Sequence, residues 1–147
     1  MSFATPEGTA RYASRFSQFS ANQFYRTAQG LTVSSLGIGT YLGETSYTDA
    51  ILQALASGIN LIDTSLNYRN QESERDIGRA LRHTPTPREE YVLCTKAGYL
   101  VPNAIPVNKI GPADIVGRMH SMAPAFLEDQ LGRSLEEALK VQGLLSE

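Results

Sequence analysis

The residues best suited to chemistry are an acid, a phenol and an amine near the ends of predicted strands. Asp63 follows the short apolar run 59–62, and Tyr68 lies on the loop beyond it. Lys96 follows the β-rich run 90–95. If these runs are neighbouring parallel strands, their carboxyl ends share one edge of the sheet, where α/β proteins build their sites. The sequence therefore predicts that the three side chains meet at one edge of a sheet.

An acid, a lysine and a tyrosine in contact could deliver a proton. The carboxylate keeps the ammonium charged, and a charged ammonium lowers the pKa of a nearby phenol from its reference value of ~10. A phenol adjusted in this way can donate a proton to a carbonyl oxygen near neutral pH. Each residue alone has a plainer interpretation, because acids often cap the turns after strands and lysines are often solvated at strand ends. The prediction of a site depends on all three together.

Alternating strands and helices would position these residues. A hairpin is predicted at 24–35 with Gln29-Gly30 as its turn, because two β-prone runs flank a glycine that can take a positive φ. Beyond it the patterns predict a strand at 36–40, a helix at 47–57, a strand at 59–63, a helix at 72–82 and a strand at 90–95. That order indicates an α/β fold with a parallel sheet and right-handed crossovers.

The flanking segments are less regular. Residues 1–23 show no sustained period and are predicted to form an irregular leader before a domain at 24–147. Residues 97–122 form a long connection in which 114–119 could supply a small helix. Pro124 suits the first position of a final helix. The apolar stripe of that helix consists of Leu127, Leu131, Leu135, Ala138 and Leu139.

Composition limits the classes of partner. The chain has 147 residues, 41% hydrophobic and 19% charged, with a net charge of −2, which is typical of one globular domain. Its scattered basic residues do not favour nucleic acid, and no apolar run is long enough to cross a bilayer. The single cysteine, Cys94, fits a reducing compartment, so the cytoplasm is predicted, and its strand position predicts a buried, inert thiol. No residue set has metal-ligand spacing, so no metal is predicted.

These motifs together resemble the aldo-keto reductase family. The matching stretches are the hairpin that ends at Ser35, Leu36-Gly37-Ile38-Gly39-Thr40-Tyr41, residues 58–68, Ser73-Glu74 with Ile77-Gly78-Arg79-Ala80-Leu81, Thr95-Lys96, and residues 126–131 with Ser134-Leu135. The resemblance covers about residues 24–135, and its three separated site motifs occur in the family's order. It implies the N-terminal portion of a (β/α)8 TIM barrel, with a β-hairpin and about three βα units of an incomplete barrel.

The resemblance also implies an activity and a set of site residues. The activity is the NADP(H)-dependent reduction of an aldehyde or ketone by hydride transfer, with a small carbonyl or alcohol as the substrate. Tyr68 would be the general acid, with Lys96 and Asp63 adjusting it. The residues against the nicotinamide end of the cofactor would be Gly39, Thr40, Tyr41 and Asp63.

A second interpretation of the glycines is open. Gly37 and Gly39 could begin a dinucleotide-binding fingerprint, which would need a third glycine where the chain has Leu42. Asp63 even lies near the distance expected for a ribose-binding acid. This Rossmann interpretation gives no role to the tyrosine or the lysine, and we rank it below the barrel.

Two departures from the family pattern lead to a second expectation for function. The family's fourth site residue is a histidine after the third helix, and residues 141–147 contain none. A full barrel also takes roughly 250 residues. The alternative to a reductase is therefore a truncated, non-catalytic remnant that associates with another subunit. The open edge of an incomplete barrel would be its contact surface.

Overall fold

A computed structural model describes residues 3–43, 46–101, 110–117 and 119–141. The helices are α1 (Pro6–Ser14), α2 (Thr48–Ala56), α3 (Glu72–His83) and α4 (Pro124–Val141). The strands are β1 (Tyr25–Ala28), β2 (Leu31–Ser34), β3 (Ile38–Gly39), β4 (Leu61–Asp63), β5 (Val92–Cys94), β6 (Ile115–Val116) and β7 (His120–Ser121). Short 3-10 turns lie at Ser17–Asn22, Arg88–Glu90 and Pro112–Asp114.

The predicted parallel sheet is confirmed. Its strand order is β3-β4-β5, with Gly39 opposite Asp63 and Asp63 opposite Cys94. Helices α2 and α3 form the connections, as expected from their apolar periods. The main core consists of Ile51, Leu55, Ile62, Ile77, Ala80, Leu81 and Tyr91. Within the described residues these strands form an open sheet rather than a closed barrel.

The predicted hairpin is also confirmed. β1 pairs antiparallel with β2, from Tyr25 opposite Ser34 to Ala28 opposite Leu31. Gln29 and Gly30 between them have φ values of 49° and 82°, as a primed two-residue turn requires.

The prediction of an irregular leader was wrong for Pro6–Ser14, which is helix α1. Thr5 caps it by accepting a hydrogen bond from the Gly8 N–H at 3.0 Å. The buried face of α1 consists of Gly8, Thr9 and Tyr12. Because only one of these is a large apolar residue, hydrophobic periodicity could not reveal the helix.

Helix α1 packs on β2 and on the 3-10 turn Arg88–Glu90. The fully buried Tyr12 hydroxyl donates to the Leu55 carbonyl oxygen at 2.5 Å. Arg11 and Arg15 both pair with the buried carboxylate of Glu90. Helix α1 therefore belongs to the packed structure, and the division of the chain at residue 24 stays a prediction.

Two predictions for the connection after β5 were wrong. Residues 114–119 do not form a helix in their described part: β6 and β7 pair antiparallel there, and Gly117 has a φ of 58° at their turn. β-branched Ile115 and Val116 favour this extended form over a helix. Cys94 is exposed rather than buried, and β5 pairs on one side only among the described strands.

Helix α4 begins at Pro124, as predicted, but its buried face is not the predicted one. Leu131 and Leu135 are 54% and 40% exposed, whereas Phe126, Gln130 and Ser134 are buried. Asp129 and Arg133 form an ion pair at 2.9 Å on this helix. The side chains of Ala138 and Leu139 lie outside the described ones. The face that packs on α3 carries two polar residues, because Gln130 binds the loop after β5 and Ser134 binds Glu74 on α3.

Candidate active site

The structure brings Asp63, Tyr68 and Lys96 together at the carboxyl edge of the sheet. The Lys96 Nζ donates to Asp63 Oδ2 at 2.7 Å and lies 3.3 Å from the Tyr68 hydroxyl. A third hydrogen bond, of 2.8 Å, joins the Lys96 Nζ to the Thr64 carbonyl oxygen. Asp63 ends β4 and Lys96 follows β5 at the same edge, so the parallel register creates this contact.

Electrostatics hold the amine of Lys96 in its charged form. Partial burial by itself lowers the pKa of Lys96, but hydrogen bonds to Asp63 and Tyr68 outweigh it, and the pKa is raised above 10.5. The Lys96 Nζ also lies 4.9 Å from the centre of the Tyr68 ring. The site therefore places a permanent positive charge beside the phenol oxygen at neutral pH.

The four residues expected at the cofactor end differ in exposure. Gly39 is exposed, and a Cβ added to it would meet no described atom within 4 Å. Tyr41 is 61% exposed, and its ring lies 4.9 Å from that of Tyr68 at 61°. Thr40 is fully buried, and its hydroxyl donates to Thr64 Oγ1 at 2.8 Å. The accessible surface beside the phenol thus comes from Gly39, Tyr41 and the half-exposed Asp63 side chain.

Helix α3 anchors the loops that carry these residues. The Ser73 hydroxyl donates to the Thr40 carbonyl oxygen at 2.7 Å. The fully buried Asp76 accepts from Arg69 Nη1 at 2.6 Å and from the Tyr47 N–H at 3.0 Å. The sequence did not predict these contacts, because hydrogen bonds between polar residues distant in the chain leave no periodic signal.

Asp76 is a buried carboxylate with many donors. Burial by itself raises the pKa of Asp76, but hydrogen bonds from Ser46, the Tyr47 backbone, Arg69 and Arg79 lower it to about 2. Asp76 is therefore ionised at neutral pH and joins the loops that follow β3 and β4 to α3.

A left-handed turn follows Tyr68. Arg69, Asn70 and Gln71 have φ values of 53°, 55° and 71°. Left-handed backbone costs a residue other than glycine roughly 1–2 kcal/mol. Such strain persists only where the surroundings enforce it, and it occurs often at functional sites.

Helix α4 holds the segment beyond Lys96. The Gly98 N–H donates to Gln130 Oε1, and Gln130 Nε2 donates to the Tyr99 carbonyl oxygen at 2.7 Å. These two hydrogen bonds explain why the polar side chain of Gln130 is buried. In the sequence, the only indication that Gln130 has a structural role was its place within the stretch 126–131 that resembles the family.

Comparison with known proteins now decides the family. The model of the family described as "Aldo/keto reductase family" matches residues 33–142, which include the whole β3-β4-β5 sheet. The chain belongs to the aldo/keto reductase family. This membership confirms the resemblance inferred from the motifs and the α/β class, and it decides against the Rossmann alternative.

Individual members of the aldo/keto reductase family show the extent of the similarity. The chain is 30% identical over 118 residues to the NADH-specific methylglyoxal reductase of Escherichia coli, covering 72% of the chain and 35% of that protein. It is 35% identical over 77 residues to the L-galactose dehydrogenase of Arabidopsis thaliana, covering 47% and 24%. A solved structure of an aldo-keto reductase from Pseudomonas aeruginosa matches with a TM-score of 0.56 and 28% identity, covering 79% and 43%. The chain spans less than half the length of each of these proteins.

No helix in the described part of the chain is long and apolar enough to cross a membrane. Among those same residues, no three His, Cys, Asp or Glu side chains cluster as metal ligands would. The predicted cytoplasmic location, the incomplete barrel and the absence of a metal stay predictions.

Proposed function

We propose that this aldo/keto reductase family member takes part in carbonyl reduction with a nicotinamide dinucleotide. NADP(H) is the form that the resemblance implies, and a small aldehyde or ketone is the substrate. The observation that carries the proposal is the contact of the Lys96 ammonium with both Asp63 and the Tyr68 hydroxyl. That arrangement suits proton delivery to an oxygen that is gaining negative charge.

The proton comes from the phenol. In the proposed reaction the Tyr68 hydroxyl donates its proton to the substrate's carbonyl oxygen. The Lys96 Nζ, 3.3 Å away, then stabilises the phenolate oxygen by charge and hydrogen bonding. Asp63 keeps the ammonium in place through its 2.7 Å hydrogen bond. Solvent reaches this half-exposed pair and can return the proton to Tyr68.

The cofactor residues fit a flat ring at the open side of the phenol. The nicotinamide, when bound, supplies the hydride that reduces the carbonyl carbon. Gly39 leaves room for close approach, Tyr41 offers an exposed aromatic ring, and Asp63 offers a carboxylate oxygen. The buried Thr40 would support the site indirectly, because its hydroxyl group holds the Thr64 side chain by a hydrogen bond.

Cofactor binding and turnover test the proposal. We expect saturable quenching of protein fluorescence on titration with NADPH or NADH, and their order of affinity gives the dinucleotide preference. We also expect Tyr68→Phe to lower kcat for a small aldehyde by about 10²-fold or more, with little change in cofactor affinity. Tyr99→Phe, which alters a phenol outside the site, is the matched control. A rate unchanged by Tyr68→Phe would exclude the acid role.

A second candidate function is association with another subunit, with or without catalysis. Leu131 and Leu135 are exposed on α4, and β5 pairs on only one side among the described strands. Such an edge and apolar face favour a protein partner. Sedimentation of the native chain and of Leu131→Glu/Leu135→Glu tests this, since association through this surface must weaken in the variant. Saturable NADPH binding by a monomer would argue against the remnant alternative.

A further inference from the structure

We propose that Glu74 is a positioning residue that sets the distance between Tyr68 and Lys96. This proposal rests on the function proposed above. Its basis is that one buried carboxylate on α3 binds both the loop that carries the tyrosine and the strand end that carries the lysine. Glu74 itself touches neither of these two side chains in any described hydrogen bond.

The two contacts lie close to the two proposed catalytic residues. Glu74 Oε1 accepts from the Thr95 hydroxyl at 2.7 Å, and Thr95 directly precedes Lys96. Glu74 Oε2 accepts from Gln71 Nε2 at 3.1 Å, at the end of the left-handed turn that begins after Tyr68. The carboxylate is thus a bridge of two hydrogen bonds between the two branches of the site.

The burial of Glu74 supports a positioning role. Its residue is only 7% exposed, and its donors in the described structure are neutral hydroxyl and amide groups rather than a cation. A buried carboxylate without a cationic partner is costly compared with an apolar side chain. A requirement for fixed geometry at the site accounts for its presence.

The left-handed turn needs such an anchor. Arg69, Asn70 and Gln71 all hold a positive φ, which residues other than glycine leave readily unless their surroundings prevent it. Arg69 is held by Asp76 at the start of the turn, and Gln71 is held by Glu74 at its end. Release of Gln71 would let the turn relax, and the Tyr68 side chain would move with it.

A third contact supplies a matched control. The Ser134 hydroxyl on α4 donates to the same Glu74 Oε1 at 2.8 Å. Thr95→Val and Ser134→Ala each remove one hydroxyl donor from this oxygen, but only the first lies on the branch to Lys96. Glu74→Ala removes the bridge entirely. Glu74→Gln keeps an acceptor oxygen for both hydroxyls, and the Gln71 amide can reorient to accept from the new amide.

The experiment measures the titration of Lys96 by NMR in chain labelled with ¹³C-lysine, which contains only three lysines. If Glu74 sets the geometry, Thr95→Val and Glu74→Ala move the Lys96 midpoint down towards that of a free lysine. Ser134→Ala and Glu74→Gln should leave it close to the native value. Equal shifts in Thr95→Val and Ser134→Ala, or no shift in Thr95→Val, would overturn the proposal. Glu74→Gln and Thr95→Val preserve side-chain size, so the test does not depend on the folding of Glu74→Ala.

Kinetics give a separate result. If the native chain turns over, Thr95→Val and Glu74→Ala should each lower kcat by up to about a hundredfold at nearly constant KM for the dinucleotide. Glu74→Gln should recover most of the rate that is lost in Glu74→Ala. If the native chain shows no turnover, the proposed function fails. The NMR comparison still decides the role of Glu74, because it needs neither cofactor nor substrate.

Discussion

Asp63 Oδ2 and Lys96 Nζ lie 2.7 Å apart, although 33 residues separate them in the chain. The contact exists because β4 and β5 are adjacent and parallel, with Asp63 opposite Cys94. Both side chains are about half exposed, so the pair acts mainly on the charge state and placement of the lysine rather than on the stability of the fold.

Substitution of Asp63 tests whether the pair acts on the charge state of Lys96 rather than on the stability of the fold. In Asp63→Asn the hydrogen bond and charge that raise the Lys96 pKa are lost, so we expect the pKa to fall, as NMR titration would show. We expect kcat to fall about tenfold or more and the free energy of unfolding to change by at most about 1 kcal/mol. Asp129→Asn, which removes the partly buried pair with Arg133 on α4, should change neither the titration nor the rate. Unfolding of Asp63→Asn at ambient temperature would contradict this view.

Acid should destabilise the fold through Asp76. Its folded-state pKa of about 2 lies below the value of 3.8 for a free aspartate. A lowered pKa contributes stability that is fully present above pH 4 and is lost as the pH falls from about 4 to about 2. Urea unfolding across that range should show the loss in the native chain and a smaller loss in Asp76→Asn.

At neutral pH we expect Asp76→Asn to cost about 2 kcal/mol or more, because it leaves buried donors with a weaker acceptor. Asp49→Asn, at an exposed aspartate of α2, is the control and should lie within about 1 kcal/mol of the native chain. An identical pH dependence in Asp76→Asn and the native chain would rule out this assignment.

Close packing of α1 predicts a cost for a single methyl group at Gly8. A Cβ there would lie 2.3 Å from the Glu89 carbonyl oxygen, so the helix would have to move. We expect Gly8→Ala to lower the free energy of unfolding by about 1–3 kcal/mol, measured by urea denaturation. Gly132→Ala is the opposite case, because its Cβ would meet no described atom within 4 Å inside α4. It should be neutral or stabilise by up to about 1 kcal/mol. Equal effects would show that α1 is not docked in this way.

Helix α4 offers a direct comparison of its two faces. Phe126 is fully buried, so Phe126→Ala should cost about 3–5 kcal/mol. Leu131 is 54% exposed, so Leu131→Ala should stay within about 0.5 kcal/mol. Thermal and urea unfolding of the two variants measure the difference. A larger loss of unfolding free energy for Leu131→Ala than for Phe126→Ala would show that the leucine stripe is the buried face after all.

The sheet and the proposed catalytic residues followed from local signals. Short apolar runs that end at Asp63 and Lys96, with helices of clear period between them, predicted both the parallel strands and the meeting of the two side chains. Helix α1 and the buried face of α4 did not follow. Their contacts are made by Thr9, Tyr12, Gln130 and Ser134, whose burial depends on partners distant in the chain.

The sequence by itself determined the α/β order and the three residues near the strand ends. Strand and helix periods are local signals, and strands joined by helices pair in parallel, so their carboxyl ends share one edge. Only the tertiary structure decided what holds those residues in place. Glu74 and Asp76 are polar residues on an amphipathic helix and look solvent-exposed in sequence, yet they are buried under the site loops. Their partners, Thr95 and Ser134 for Glu74 and Arg69 and Tyr47 for Asp76, are brought to them by packing alone. Hydrogen bonds between distant polar groups leave no periodic signal in a sequence, and they form the support of this candidate site.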